Sequence, residues 1–355
     1  TLNVGSGTAS SSGAFTNAAG ASYRVPAGSA TSSGTFTNSG ALNNGTGTFT
    51  VQNTFLQNSG ATYTTSTLSL FRAAGSTSHN ITGLFFNNFA NIKTGNATAT
   101  FTGSDATVAG TFTATGTGAI SSGSQNLTVT GIAYIESGTA VTSTSGTLTF
   151  NGIATSTGSI GTQTGVLAFN STVQNNGTVS VGAGTASSSG AFTNATGANY
   201  NVLLGTATSA GAFINSGTIT VTSGLTSFMG DYTHNGGSTY TRGTGTFRIA
   251  GATDQNLYFL AGAMTLNNFE SLKTAGTAST TYANTTISGQ LNASSTGWTL
   301  SSGTTTLTVT GAIWLGGGTV TSTSGTLTFT GAASSTGSIG SNSGNQLFSS
   351  TLQNN

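Results

Sequence analysis

Seven side chains in this 355-residue chain could carry acid–base or metal chemistry: Asp105, Glu136, Asp231, Asp254, Glu270, His79 and His234. General acid–base catalysis needs two carboxylates, or a carboxylate and an imidazole, held near each other. Here the acids are separated by 16 to 95 residues. Only a fold that lays distant residues side by side could pair Asp231 with Asp254, or Asp254 with Glu270. Two histidines are too few for a metal cluster without carboxylate help, and cysteine is absent. Despite 49 serines there is no Gly-x-Ser-x-Gly elbow, and neither histidine has an obvious acidic partner. His234, in Tyr-Thr-His-Asn-Gly-Gly, reads as a turn residue. The expectation is a protein that is not an enzyme and has no catalytic, cofactor or metal site.

The elements that would position any site are written in the repeats. Residues 1–42 recur at 178–219 with 28 of 42 positions identical, and further matches at offsets of 176 to 180 make the chain a tandem duplication, 1–177 and 178–355. The second copy closes on TLQNN where the first has TVQNN, so two units of a longer array are expected. Within each unit a shorter beat places Asn at 17, 38 and 58, and at 175, 194, 215 and 235. Between these corners lie alternating segments such as Thr-Ile-Thr-Val-Thr and Gly-Thr-Leu-Thr-Phe, which carry strand periodicity rather than helical spacing. A coil of about 20 residues cannot bury its apolar face alone, whereas stacked coils form one core. The fold expected is therefore an all-β parallel β-solenoid, with Phe, Leu, Ile and Val inward, Thr and Ser outward, and Asn ladders at Gly-rich corners. A string of antiparallel sandwiches is the competing architecture.

Composition narrows the function. Only 3% of residues are charged, and six Lys/Arg against five Asp/Glu leave a net charge of +1. There is no basic stripe for nucleic acid, no apolar run long enough to span a membrane, and no acid in each repeat for a calcium-binding solenoid. Solubility must come from 75 threonines, the serines and the amides. Nine Asn-x-Ser/Thr sequons, among them Asn44, Asn194 and Asn292, permit glycosylation.

The stretch Gly75–Lys93, its partner from Gly251 to Lys273, and the LTVTG and SGTLTF runs after them resemble the coils of large bacterial surface proteins of the filamentous-haemagglutinin and autotransporter-passenger kind. The resemblance implies a right-handed parallel β-helix acting as a stalk or adhesin. The leading expectation is a structural extracellular protein, a surface fibre, filament or stalk whose main partner is itself, end to end or laterally. Single charges recurring between copies, Arg72 with Arg248 and Lys93 with Lys273, would be solvated coil-edge residues or lateral contacts between rods. A glycan- or surface-binding module would need an exposed aromatic platform. Tyr134, Trp298 and Trp314 are the residues to check, and core packing is the expectation for their rings. An ice-binding face would need Thr-x-Thr at constant spacing, yet the motifs at 98, 111, 128 and 147 step by 13, 17 and 19.

Overall fold

The computed structural model describes residues 1–354 except 261, 282 and 294, with the backbone alone at 281 and 354. The chain divides into two compact units, Thr1–Thr172 with Gly177–Val179, and Val173–Asn176 with Ser180–Asn355. Both are built from short strands, and no helix occurs among the described residues.

In the first unit each strand pairs in parallel with the third strand after it. Thr8–Ser11 lies on Ser29–Ser32, followed in turn by Thr48–Val51, Leu70–Ala73, Asn88–Asn91, Phe112–Ala114, Ala133–Ile135 and Ala154–Ser156. The second unit repeats the scheme: Val173–Asn175, Phe192–Asn194, Phe213–Asn215, Tyr232–His234 and Gln255–Phe259 lie one above another. Three strands thus complete a coil, and the fold is a parallel β-solenoid of about 21 residues per turn. The step is 19 residues from Phe36 to Phe55 and 25 from Tyr232 to Leu257, where the strands Thr246–Gly251 and Gln255–Phe259 are longer and the turn at 235–238 is wider. Antiparallel sandwiches are excluded, since every described strand pair runs parallel.

Alternation sets the inside and the outside. In Thr147–Phe150, Leu148 and Phe150 are buried while the two threonines face outward. β-branched threonine suits that half-exposed pleated surface. Inward phenylalanines stack from coil to coil. Phe36 stacks on Phe15 and Phe55 at centroid distances of 5.1 and 5.8 Å, and Phe89 on Phe71 and Phe112 at 5.8 Å each. Burying each such ring contributes about 2–3 kcal/mol.

One corner explains a recurrent glycine. A Cβ on Gly131 would lie 2.1 Å from the carbonyl oxygen of Gly110, and one on Gly152 equally close to that of Gly131. In the second unit a Cβ on Gly311 or Gly331 would lie 1.9 or 2.0 Å from the carbonyl oxygen of the preceding corner. At this corner the coils pass too closely for any side chain.

Candidate functional site

The polar chemistry inside the coils is structural. Asn17 donates its Nδ2 to Asn38 Oδ1 at 2.7 Å, and Asn38 donates to Gln57 Oε1 at 2.8 Å. In the second unit Asn175 donates to Asn194, Asn194 to Asn215, and Asn215 to His234 Nδ1, at 2.8, 2.7 and 3.0 Å. The asparagines of these ladders are buried at inward strand ends and Gln57 is half-buried, so each buried donor meets an acceptor one coil away. The corner beat is corrected in two places. At Asn58 and Asn235 the ladder runs one residue earlier, through Gln57 and His234, while those asparagines bond to Ser39 and Ser216. His234 is accordingly a buried rung rather than a turn residue. Sequons Asn44 and Asn194 are fully buried and closed to glycosylation.

Lys93 and Lys273 overturn their reading as coil-edge or lateral-contact charges: both are fully buried. Lys93 Nζ donates to the Thr77 carbonyl and, at 2.8 Å, to His79 Nδ1, and Lys273 Nζ donates to Thr253 O at 2.6 Å. Burial pushes Lys93 down to about 8, and it lowers Lys273 against the opposing pull of Asp254. His79 is held at about 4 by burial and then by the Lys93 charge. The Gln52 backbone partly offsets this, although no hydrogen bond of ordinary geometry reaches Nε2. His234 lies at about 4 through burial alone.

These depressed values fix a pH dependence. Between pH 6.5 and 4 the unfolded chain binds protons that the folded chain refuses, so stability present above 6.5 is lost as pH falls through 4. The expected loss is about 2 kcal/mol per imidazole. Denaturant midpoints measured across that window should fall, and the His234→Asn variant, which continues the ladder, should remove its share. A flat wild-type profile would contradict this.

Four of the five carboxylates are engaged with groups on a neighbouring coil. Asp105 accepts from the backbone N–H of Asn126, Asp231 from that of Asn256, and Asp254 from that of Thr277, each at 2.8 Å and each across one coil. Asn88, Asn126 and Asn268 bridge coils in the same way. Glu270 pairs with Arg248, whose Nε and Nη2 lie 2.8 and 2.7 Å from Oε2. Arg72, its counterpart, stands opposite Ala90 and is half-buried with Nε unpartnered among the described residues. No group of three or more His, Asp or Glu side chains that could hold a metal occurs among the described residues.

The aromatic candidates separate. Trp298 is buried in the core with its indole N–H on Ser295 O at 2.7 Å, as expected for a packing residue. Tyr134 and Trp314 contradict that expectation, at 44% and 57% exposed. Each sits between two inward apolar residues, Ala133 and Ile135 or Ile313 and Leu315, and alternation therefore turns it outward.

Trp314 belongs to an outward column of one sheet, in which Arg248, Glu270, Asn292, Trp314, Ser334 and Gln353 occupy successive coils. Beside it lies a cleft of about 620 Å³, bordered by Gln290, Asn292 and Trp314 and floored by Ala312 and Ala332. The amides escape a motif search. Their signal is the internal comparison, where the first copy has Thr111, Thr113, Ile132, Tyr134 and Ile153 at these places.

The Thr-x-Thr pairs align in two columns only locally, as where Thr218 and Thr220 stand opposite Thr239 and Thr241, and the alignment is not kept along the coils. Thr128 stands opposite Thr149, which leaves Thr130 and Thr147 on opposite flanks of that column. No described helix is long and apolar enough to cross a membrane. No protein family, curated protein or solved structure matches the chain.

Proposed function

We propose that this chain is a structural repeat segment of an extracellular surface fibre, filament or adhesin stalk, in which stacked β-coils bear load and set length. The observation that supports this best is the commitment of polar groups to neighbouring coils. Backbone ladders, buried amide ladders and four of the five carboxylates all bond along the direction of stacking. Such a design resists separation of coils, because pulling one away leaves a whole row of donors and acceptors unpaired.

The surface supports the same reading. Eleven charges on 355 residues give little repulsion between copies, and half-exposed threonine and serine rows keep the faces hydrated. The extracellular location belongs to this proposal and rests on the resemblance to bacterial surface coils. Negative-stain imaging of the native, full-length material should show extended fibres or stalks. Dispersed compact particles at all concentrations would overturn the proposal.

A further inference from the structure

We propose that the cleft beside Trp314 binds an uncharged oligosaccharide. The claim goes beyond a structural role and does not depend on it. Among the described residues of the second unit the indole is the largest exposed aromatic surface, and its ring makes no hydrogen bond or ring contact with any of them. An exposed flat ring of this kind takes the apolar face of a pyranose, while polar groups around it take the hydroxyls.

Those polar groups are present. The Gln290 side-chain amide is exposed and bonds to none of the described residues, and Asn292 lies directly opposite Trp314 one coil away. Asn292 Oδ1 is buried without a partner among the described residues, an acceptor that a hydroxyl would satisfy after rotation of the amide. Ser334 and Gln353 continue the column over the next two coils, so polar side chains follow one another along the cleft at the strand spacing of about 4.8 Å, with Gln290 and Asn292 as the groups that meet the ligand's hydroxyls.

Charge and backbone exclude other occupants. Among the described residues no ionised side chain lines the cleft, and Arg248 and Glu270 farther along the column neutralise each other. An acidic sugar or a phosphate would find no counter-charge there. A peptide added as a strand would find no free backbone along strands 291–293, 313–315 and 333–335, which are paired on both sides and present a face rather than an edge; only 352–354, at one end of the cleft, is paired on a single side among the described residues.

The duplication provides an internal control. Where the second unit has Ala312 and Ala332, the first has Ile132 and Ile153, exposed by 41% and 48%, beside Tyr134 in place of the indole. The isoleucine side chains project where the alanines leave room. The first unit has the same coil geometry with the floor raised and the amides replaced by Thr111 and Thr113.

The test uses the two tryptophans. Trp298 is buried and Trp314 exposed, so acrylamide quenching of tryptophan emission reports chiefly on Trp314. The whole chain is titrated with neutral hexasaccharides of β-1,4-glucose, β-1,3-glucose, β-1,4-mannose and β-1,4-N-acetylglucosamine. A hexagalacturonate serves as the charged control. At least one neutral hexasaccharide should protect Trp314 from quenching, and the hexagalacturonate should not. By calorimetry, Trp314→Ala and the filled variant Ala312→Ile/Ala332→Ile should each weaken its binding roughly tenfold or more, with circular dichroism unchanged. Protection by none of the neutral sugars up to millimolar concentration would overturn the proposal. So would undiminished binding by the filled variant, or equal binding of the charged hexasaccharide.

Discussion

Replacing Asn194 by aspartate should lower the stability of the second unit by about 3–5 kcal/mol at pH 7, the cost of leaving a buried charge unpaired. The substitution is nearly isosteric, so packing is not the cause. Asn194 Nδ2 donates to Asn215 Oδ1 at 2.7 Å and to Thr218 O at 3.1 Å, while its Oδ1 accepts from Asn175 at 2.8 Å. An ionised carboxylate keeps the acceptance and turns both donations into contacts between oxygens. Because a protonated carboxyl regains one donor, the gap between variant and wild type should narrow as pH falls, even while the wild type loses stability through its histidines. Urea denaturation of both proteins at pH 7 and pH 5 measures this. A loss below 1 kcal/mol, or a gap independent of pH, would contradict the ladder.

Phe213→Ala should cost about 3–5 kcal/mol, the range for deleting a buried aromatic that its surroundings cannot collapse around. Phe213 stacks on Phe192 at 4.9 Å and on Tyr232 at 6.0 Å, and meets Tyr200 and Phe228 edge-on at 5.4 and 5.3 Å. Four aromatic neighbours in rigid coils leave a cavity that is hard to fill. The next residue is the control. Ile214 points outward and is 37% exposed, so Ile214→Ala should change stability by about 0.5 kcal/mol. Comparable losses at the two positions, read from thermal or denaturant midpoints, would contradict the assigned alternation.

The architecture was legible because the beat and the alternation are properties of the chain itself. A recurring Phe-Thr-Asn such as 192–194 specifies one inward ring, one outward hydroxyl and one inward amide. The same text misled where residue type was taken for position. Asn58 and Asn235 resemble ladder residues, but the geometry selects Gln57 and His234, because coil register counts strand positions and not asparagines. Lys93 and Lys273 appeared exposed because lysine usually is. Their burial depends on the carbonyls of Thr77 and Thr253, 16 and 20 residues earlier, being turned to meet them. Tyr134 and Trp314 were decipherable after all, since the apolar residues on either side of each already occupy the inward positions. The cleft was not, because its shape arises from four successive coils, and only the exchange of Ile132 and Ile153 for Ala312 and Ala332 hints at it.

Oriented diffraction from the assembled native material bears most directly on stacked coils as the load-bearing element. A reflection near 4.8 Å lying along the fibre axis is expected, because the hydrogen bonds between coils then run with the fibre. The same spacing found perpendicular to the axis, or no oriented reflection from material that does form fibres, would contradict it.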